Sequence, residues 1–159
     1  ALHPNRFYLS NGLSCMGFAL PAAIGAAIGA AIGAAIGAAI GDALTRPGEP
    51  VFCLIGDAGL AMCLGELNVL ARLGLPVTVV VPVDNAIDLI RAHQKRQGAP
   101  IHGTEFPAPD FCAIAAAHGI PSAAVTTEAE CDAALARAVA SGGPFLVEVH
   151  IDPEGYRWG

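Results

Sequence analysis

Strand-like and helix-like patterns alternate along this chain, and the alternation predicts an α/β fold: a doubly wound, mostly parallel sheet with helices on both faces. Three observations carry the prediction. The runs VFCLI at 51–55 and VTVVVPV at 77–83 are nearly continuous β-branched and apolar, as in parallel strands buried on both faces. Segments of helical periodicity separate the strand-like runs, and the connections between them are short. The chain of 159 residues is 54% hydrophobic and 14% charged, which suits one domain with a sizeable core and excludes disorder as its main state.

In chain order, strands are expected at 7–10 (FYLS), 51–55, 77–83, 122–126 (SAAVT) and 145–151 (FLVEVHI). Helices are expected over Leu60–Leu73, Ile87–Gln97, Asp110–His118 and Glu128–Ala140. Asp110 and Thr127 have the side chains of N-caps, and Gly74 and Gly119 stand where helices stop. Pro76, Pro121 and Pro144 each precede a strand, where a fixed φ ends a connection without interrupting a ladder. No serine- or glycine-rich linker and no charge run divides the chain, so residues 1–159 read as one domain.

Net charge is −6, which provides no electrostatic footprint for nucleic acid and no basic patch for an anionic membrane. The five cysteines, Cys15, Cys53, Cys63, Cys112 and Cys131, are odd in number and contain no CxxC pair. They read as reduced thiols of a cytoplasmic protein and not as a disulfide or zinc framework. No charge occurs from Phe7 to Gly41, a length that meets the criterion for a membrane span. Alanine and glycine, both weakly apolar, dominate that stretch, and it lacks flanking basic clusters and aromatic belts, so a span is not expected. ALHPNRFYLS has no basic region ahead of an apolar core and does not read as a signal peptide.

Ligands of such sheets bind at the carboxyl ends of the strands. After the strand at 51–55 comes Gly56-Asp57-Ala58-Gly59, a small-residue turn into a helix, where backbone N–H groups and the helix dipole favour phosphate. Asp57 would repel a bare phosphate, so a cation between them resolves the conflict. Mg²⁺ is commonly held by one or two carboxylates together with phosphate oxygens. Asp84-Asn85-Ala86 follows the strand at 77–83 and adds hard oxygen ligands at a second strand end. The two ends together suggest a site for Mg²⁺ and a diphosphate.

At these residues the chain resembles the diphosphate-binding domain of thiamine-diphosphate-dependent enzymes, in the group of acetolactate synthase and the 2-oxo-acid decarboxylases. Gly56-Asp57-Ala58 matches that family's G-D-G, and an ungapped count places Asp84 on the second residue of its N-N pair. Gly12 to Gly25 (GLSCMGFALPAAIG), Gly65-Glu66-Leu67, Leu75-Pro76-Val77 and Gly143 to Val149 (GPFLVEV) match further segments. The resemblance implies thiamine diphosphate and Mg²⁺ as cofactors. Asp57 and Asp84 are the implied side-chain metal ligands, with the Ala86 carbonyl beside them; a one-residue shift would make Asn85 the ligand instead. Met16, Gly56, Asp57, Ala58, Gly59 and Asn85 are implied as the cofactor-binding residues, Met16 lying beside the aminopyrimidine. In the family a glutamate on a separate pyrimidine-binding domain activates the cofactor. No catalytic residue is therefore expected in this chain. A pyrimidine-binding domain or subunit, a 2-oxo acid substrate and a homo- or hetero-oligomer are the implied partners, and the chain alone should be inactive. Alanine in place of the third glycine would strain the turn if its φ is positive.

Two other readings stay open: a β subunit of the two-subunit sulfopyruvate or phosphonopyruvate decarboxylase type, and a non-catalytic assembly module descended from such a domain. Ser14 has no accompanying base and is not a nucleophile; Glu66 reads as a solvent-facing helix residue. His3, His93, His102, His118 and His150 have no metal spacing and read as structural or surface residues, although His93 and Lys95 lie where family members vary to suit substrate. AAIG occurs five times between Ala22 and Gly41. Removing residues 26–41 restores the family's spacing, so they read as a tandem expansion that would lengthen a helix by about 24 Å.

Overall fold

The computed structural model describes residues 49–152. In chain order these form β1 (Val51–Leu54), α1 (Asp57–Ala61), α2 (Glu66–Leu73), β2 (Val77–Val83), α3 (Asp88–Arg96), α4 (Phe111–Ala117), β3 (Ser122–Val125), α5 (Glu128–Ser141) and β4 (Phe145–His150). The four strands make one sheet in the order β1-β2-β4-β3, every neighbouring pair parallel. The α/β class and each strand within 49–152 agree with the sequence reading to within a residue at either end. The strand expected at 7–10, Met16, the uncharged stretch and the AAIG repeats lie outside the described residues.

Period-2 alternation divides the sheet residues between two faces. On one face Cys53, Ile55, Val77, Val79, Val81, Val83 and Leu146 form a core with Leu67 and Leu70 of α2 and Phe111 and Ala115 of α4. On the other, Phe145, Val147 and Val125 meet Ala134 and Ala138 of α5. The sheet is thus covered by helices on both faces, because the path turns back between β3 and β4 and right-handed crossovers then place α5 opposite α2 and α4.

Helix ends follow the local chemistry. Asp110 caps α4 by accepting from Ala113 N at 2.7 Å. Thr127 begins α5 with a capping box closed by Glu130. Gly74 ends α2 in the left-handed conformation, at φ 60°.

One expected helix differs. Leu60–Leu73 is two helices, because residues 62–65 form tight turns in which Cys63 N donates to Leu60 O and Glu66 N to Cys63 O. Gly65, the N-cap of α2, sits at the break, where no side chain favours continued helix. The first helix starts earlier than expected and takes in Asp57, Ala58 and Gly59.

Candidate functional site

The site is built where β1 and β2 separate. Ile55 N donates to Val80 O at 3.0 Å, the last bond between the two segments, so Val80 and, two residues on, Pro82 face β1. Proline has no N–H to offer there, and the chain has already turned away at Gly56. Past this point residues from both strand ends come together.

Asp57 is the first residue of α1 and only 3% exposed. Its Oδ1 accepts from Ala58 N at 2.7 Å and its Oδ2 from Asn85 N at 3.0 Å, across 28 residues of sequence. One carboxylate therefore ties the end of β1 to the end of β2. Burial raises the Asp57 pKa above the ordinary carboxylate range; Asp84's charge pushes the same way, and the backbone N–H bonds oppose both. Asp84 and Asp57 are thus close enough to feel one another.

Beyond Val83 the chain makes a sharp change of direction. Asp84 Oδ1 accepts from Ala86 N at 2.9 Å. Asn85 has φ 59°, the one positive φ among the described non-glycine residues. Its carbonyl accepts from Phe106 N at 2.9 Å and its Oδ1 from Ala108 N at 3.1 Å. Ala86 bridges Glu105 in antiparallel fashion, and Ile87 N donates to Thr104 O at 2.8 Å. Residues 104–108 thus form a strap along the loop that carries Asp84, Asn85 and Ala86. The strap had no sequence signal; it bonds through its own backbone groups, which no residue type announces.

Of the residues singled out from sequence, Gly56, Asp57, Ala58, Gly59, Asp84, Asn85 and Ala86 all stand at these two strand ends, and Met16 lies outside the described residues. Ala58 is helical and does not have a positive φ, so the strain conditionally expected of it is absent. The left-handed residue is instead Asn85, a type that tolerates that conformation. Glu66 begins α2, half-buried, and His93 and Lys95 are exposed on α3.

Glu148 was not singled out as a polar centre, although a carboxylate inside FLVEVHI is a visible anomaly. It is buried in β4, its Oε2 accepts from Cys112 N near the start of α4, and its Oε1 lies 3.0 Å from His150 Nε2. Burial raises the Cys63 and Cys112 thiols, and the Cys53 thiol is pushed up to about 12, chiefly by burial and further by Cys63. Such thiols are poor nucleophiles at neutral pH. Among the described residues no helix is long and apolar enough to cross a membrane, and no cluster of three or more His, Cys, Asp or Glu could hold a metal.

Fold and site together define a parallel α/β domain that gathers side-chain oxygens at the carboxyl ends of adjacent strands, where domains of this class bind their ligands. The family described as "Thiamine pyrophosphate enzyme, C-terminal TPP binding domain" matches residues 1–32 and 27–149, and the chain belongs to it. The large subunit of acetolactate synthase isozyme 2 from Escherichia coli K12 is 32% identical over 151 residues, covering 94% of this chain and 25% of that protein. A probable chloroplastic acetolactate synthase 2 from rice, Oryza sativa, is 34% identical over 157 residues, 92% of this chain and 21% of that protein. The chain therefore spans about a quarter of the length of the curated relatives it matches. The crystal structure of benzoylformate decarboxylase from Polynucleobacter necessarius shares the fold, with a TM-score of 0.74 at 20% identity, covering 92% of this chain and 25% of that one.

Proposed function

We propose that this domain binds the diphosphate half of Mg²⁺-thiamine diphosphate for an enzyme acting on 2-oxo acids, by decarboxylation or carboligation as in acetolactate synthase. The observation that carries the reading is the joining of the two strand ends: the Asp57 carboxylate bonded to Asn85 N, with Asp84 close enough to raise its pKa. Two adjacent carboxylates, one of them buried, are mutually unfavourable without a cation, and an all-oxygen donor set suits Mg²⁺. Asp57 and Asp84 would hold the metal, the Ala86 carbonyl would complete the protein's share, and diphosphate oxygens and water would fill the remaining positions. Asn85 is the less suited ligand of the pair, because its side chain is a neutral amide whose single oxygen already accepts from Ala108 N, whereas a carboxylate brings charge and two oxygens. Gly56, with open space where a Cβ would stand, leaves the turn accessible to the diphosphate. Bound thiamine diphosphate supplies an electron sink for the carbanion chemistry of 2-oxo acids.

This chain's own residues bind and orient the cofactor. A pyrimidine-binding domain or subunit would supply the activating carboxylate and close the site against water, within a homo- or hetero-oligomer in the cytoplasm. The chain's coverage of only about a quarter of its relatives supports the need for further domains. Residues 26–41 are read as an expansion within one domain; the two family matches, 1–32 and 27–149, overlap inside the repeats.

Titration calorimetry of the chain with Mg²⁺ and thiamine diphosphate tests the reading. Metal-dependent binding that Asp57→Ala abolishes is expected, with no turnover of 2-oxo acids by the chain alone. Undiminished affinity in the folded variant would remove Asp57 from the site. No cofactor binding by the natural chain would favour a non-catalytic assembly module.

A further inference from the structure

We propose that Asn85 is the positioning residue of this metal site: its left-handed backbone sets the spacing of the Asp57 and Asp84 carboxylates, and with it the preference for Mg²⁺ over Ca²⁺. The inference rests on the ligand reading above and concerns a residue that is not itself a ligand.

Two consecutive amides do the positioning. Asn85 N donates to Asp57 Oδ2 at 3.0 Å, and Ala86 N donates to Asp84 Oδ1 at 2.9 Å. One peptide step thus aims an N–H at each of two carboxylates from different strand ends. The relative direction of those amides is set by rotation about the N–Cα and Cα–C bonds of Asn85. Its φ of 59° is what makes the adjacent groups converge on neighbouring acceptors. An extended or right-handed residue there would swing one amide away and release one carboxylate.

The residue is held in that conformation from outside. Phe106 N donates to its carbonyl and Ala108 N to its Oδ1, so the strap grips both its main chain and its side chain. Asparagine fits the role because it enters the left-handed region at low cost and still offers a side-chain acceptor. Glycine would keep the backbone and lose the grip on the side chain; a β-branched residue would resist the backbone itself.

The consequence for the metal follows from coordination geometry. Mg²⁺ requires near-octahedral oxygens at about 2.0–2.1 Å, whereas Ca²⁺ accepts variable numbers of oxygens at about 2.3–2.6 Å. A spacing held at the shorter Mg²⁺–oxygen distances favours Mg²⁺, because only a site free to open reaches the longer Ca²⁺–oxygen distances. Loss of the fixed spacing should harm Mg²⁺ more than Ca²⁺, whereas general damage to the fold would harm both alike.

The test is calorimetric titration of the full chain with Mg²⁺ and with Ca²⁺, each in the presence of thiamine diphosphate, for the natural protein, Asn85→Gly, Asn85→Val and Asp57→Ala. Asn85→Val is expected to lose about tenfold or more in Mg²⁺ affinity and distinctly less in Ca²⁺ affinity, so that the Mg²⁺/Ca²⁺ ratio falls. Asn85→Gly should hold that ratio within about twofold. Should Asn85→Val fail to fold by circular dichroism, Asn85→Ala takes its place in the same comparison. An unchanged ratio in the β-branched (or alanine) variant overturns the inference, as does an equal fall in the glycine variant. If Asp57→Ala retains metal-dependent binding, the ligand reading fails and the inference falls with it. If Asp57→Ala abolishes binding while Asn85→Val changes nothing, positioning by Asn85 alone is refuted and the ligands stand.

Discussion

The unit β3–α5–β4 and the paired ends of β1 and β2 are parts of one sheet built by opposite rules. In the first, local preferences agree with the fold at nearly every position, the buried Glu148 of β4 being the exception. Thr127 and Glu130 close a capping box, Gly142 ends the helix at φ 64°, and Ala134 and Ala138 pack on Phe145 and Val147. In the second, preferences are overridden one after another. A carboxylate is buried, a non-glycine residue is left-handed, a helix breaks after five residues, and a proline stands in a central strand. Among the described residues α5 covers β3 and β4, and none covers Phe52 and Leu54 of β1 on the same face. Natural sequences keep local and global preferences consistent except where a site demands otherwise. The overrides cluster at the ends of β1 and β2, where the candidate site lies.

Substitutions in the two regions should separate stability from binding. The largest loss of stability is expected in the regular unit: Phe145→Ala removes a buried ring from between β4 and α5 and should cost about 3–5 kcal/mol in denaturant unfolding. A cost below about 1 kcal/mol would mean that this unit is not the packed half of the molecule. Asp57→Ala should do the reverse, abolishing Mg²⁺-dependent cofactor binding while sparing the fold, since it removes a carboxylate that burial already disfavours. Unfolding of that variant at ambient temperature would place Asp57 among structural residues.

Two carboxylates give the comparison a pH dependence of opposite sign. Glu130 accepts from Thr126 N and Thr127 N, and these bonds with the Thr126 and Thr127 backbone and side chains hold its pKa below the usual glutamate value. The folded state therefore binds its proton less readily than the unfolded chain. The resulting stability is present above the unfolded pKa and is lost as pH falls through the lower folded one. Asp57 is shifted upward, so its ionised form opposes folding above the folded pKa, and the penalty is relieved as pH falls through that value. Thermal unfolding of Glu130→Gln against pH should show a deficit at neutral pH that closes on acidification. A deficit that persists unchanged below the carboxylate range would deny that the ionised side chain is the source.

The same division governs what could be read from the sequence. Val77–Val83 announced its strand because β-branched residues suit a strand buried on both faces. Asp110 and Thr127 announced their helices because a cap is a side-chain property. The pairing of the Asp57 and Asp84 strand ends was legible too, since the sheet's topology places ligands there and the family motif falls on both residues. The Asn85 backbone was not legible: asparagine permits a left-handed conformation without requiring it, and its contacts with Asp57 and Ala108 lie 28 and 23 residues away. The break at 62–65 was hidden because Leu60, Leu64 and Leu67 keep a helical apolar spacing across it. Glu148 was visible as a lone carboxylate in an apolar strand, but its partner was not, because Cys112 N is a backbone group on a helix 36 residues away.

The smallest effect tests the turn where this chain departs from its family. Alanine at position 58 would be a flaw if the turn after β1 required a positive φ, and glycine would then improve the protein. The structure removes that premise, since Ala58 is the second residue of α1, helical and 7% exposed. In such a place glycine gives up a buried methyl group and adds conformational freedom to the unfolded chain. Ala58→Gly should therefore lower stability by about 0.5–1 kcal/mol. Cofactor affinity should be little changed, because the Ala58 N–H that Asp57 Oδ1 accepts from belongs to the backbone and survives the exchange. Denaturant unfolding measures the first effect and calorimetry the second. A gain in stability on substitution would show that the turn is strained after all. A loss of affinity without a loss of stability would show that the Ala58 methyl group itself contributes to the cofactor site.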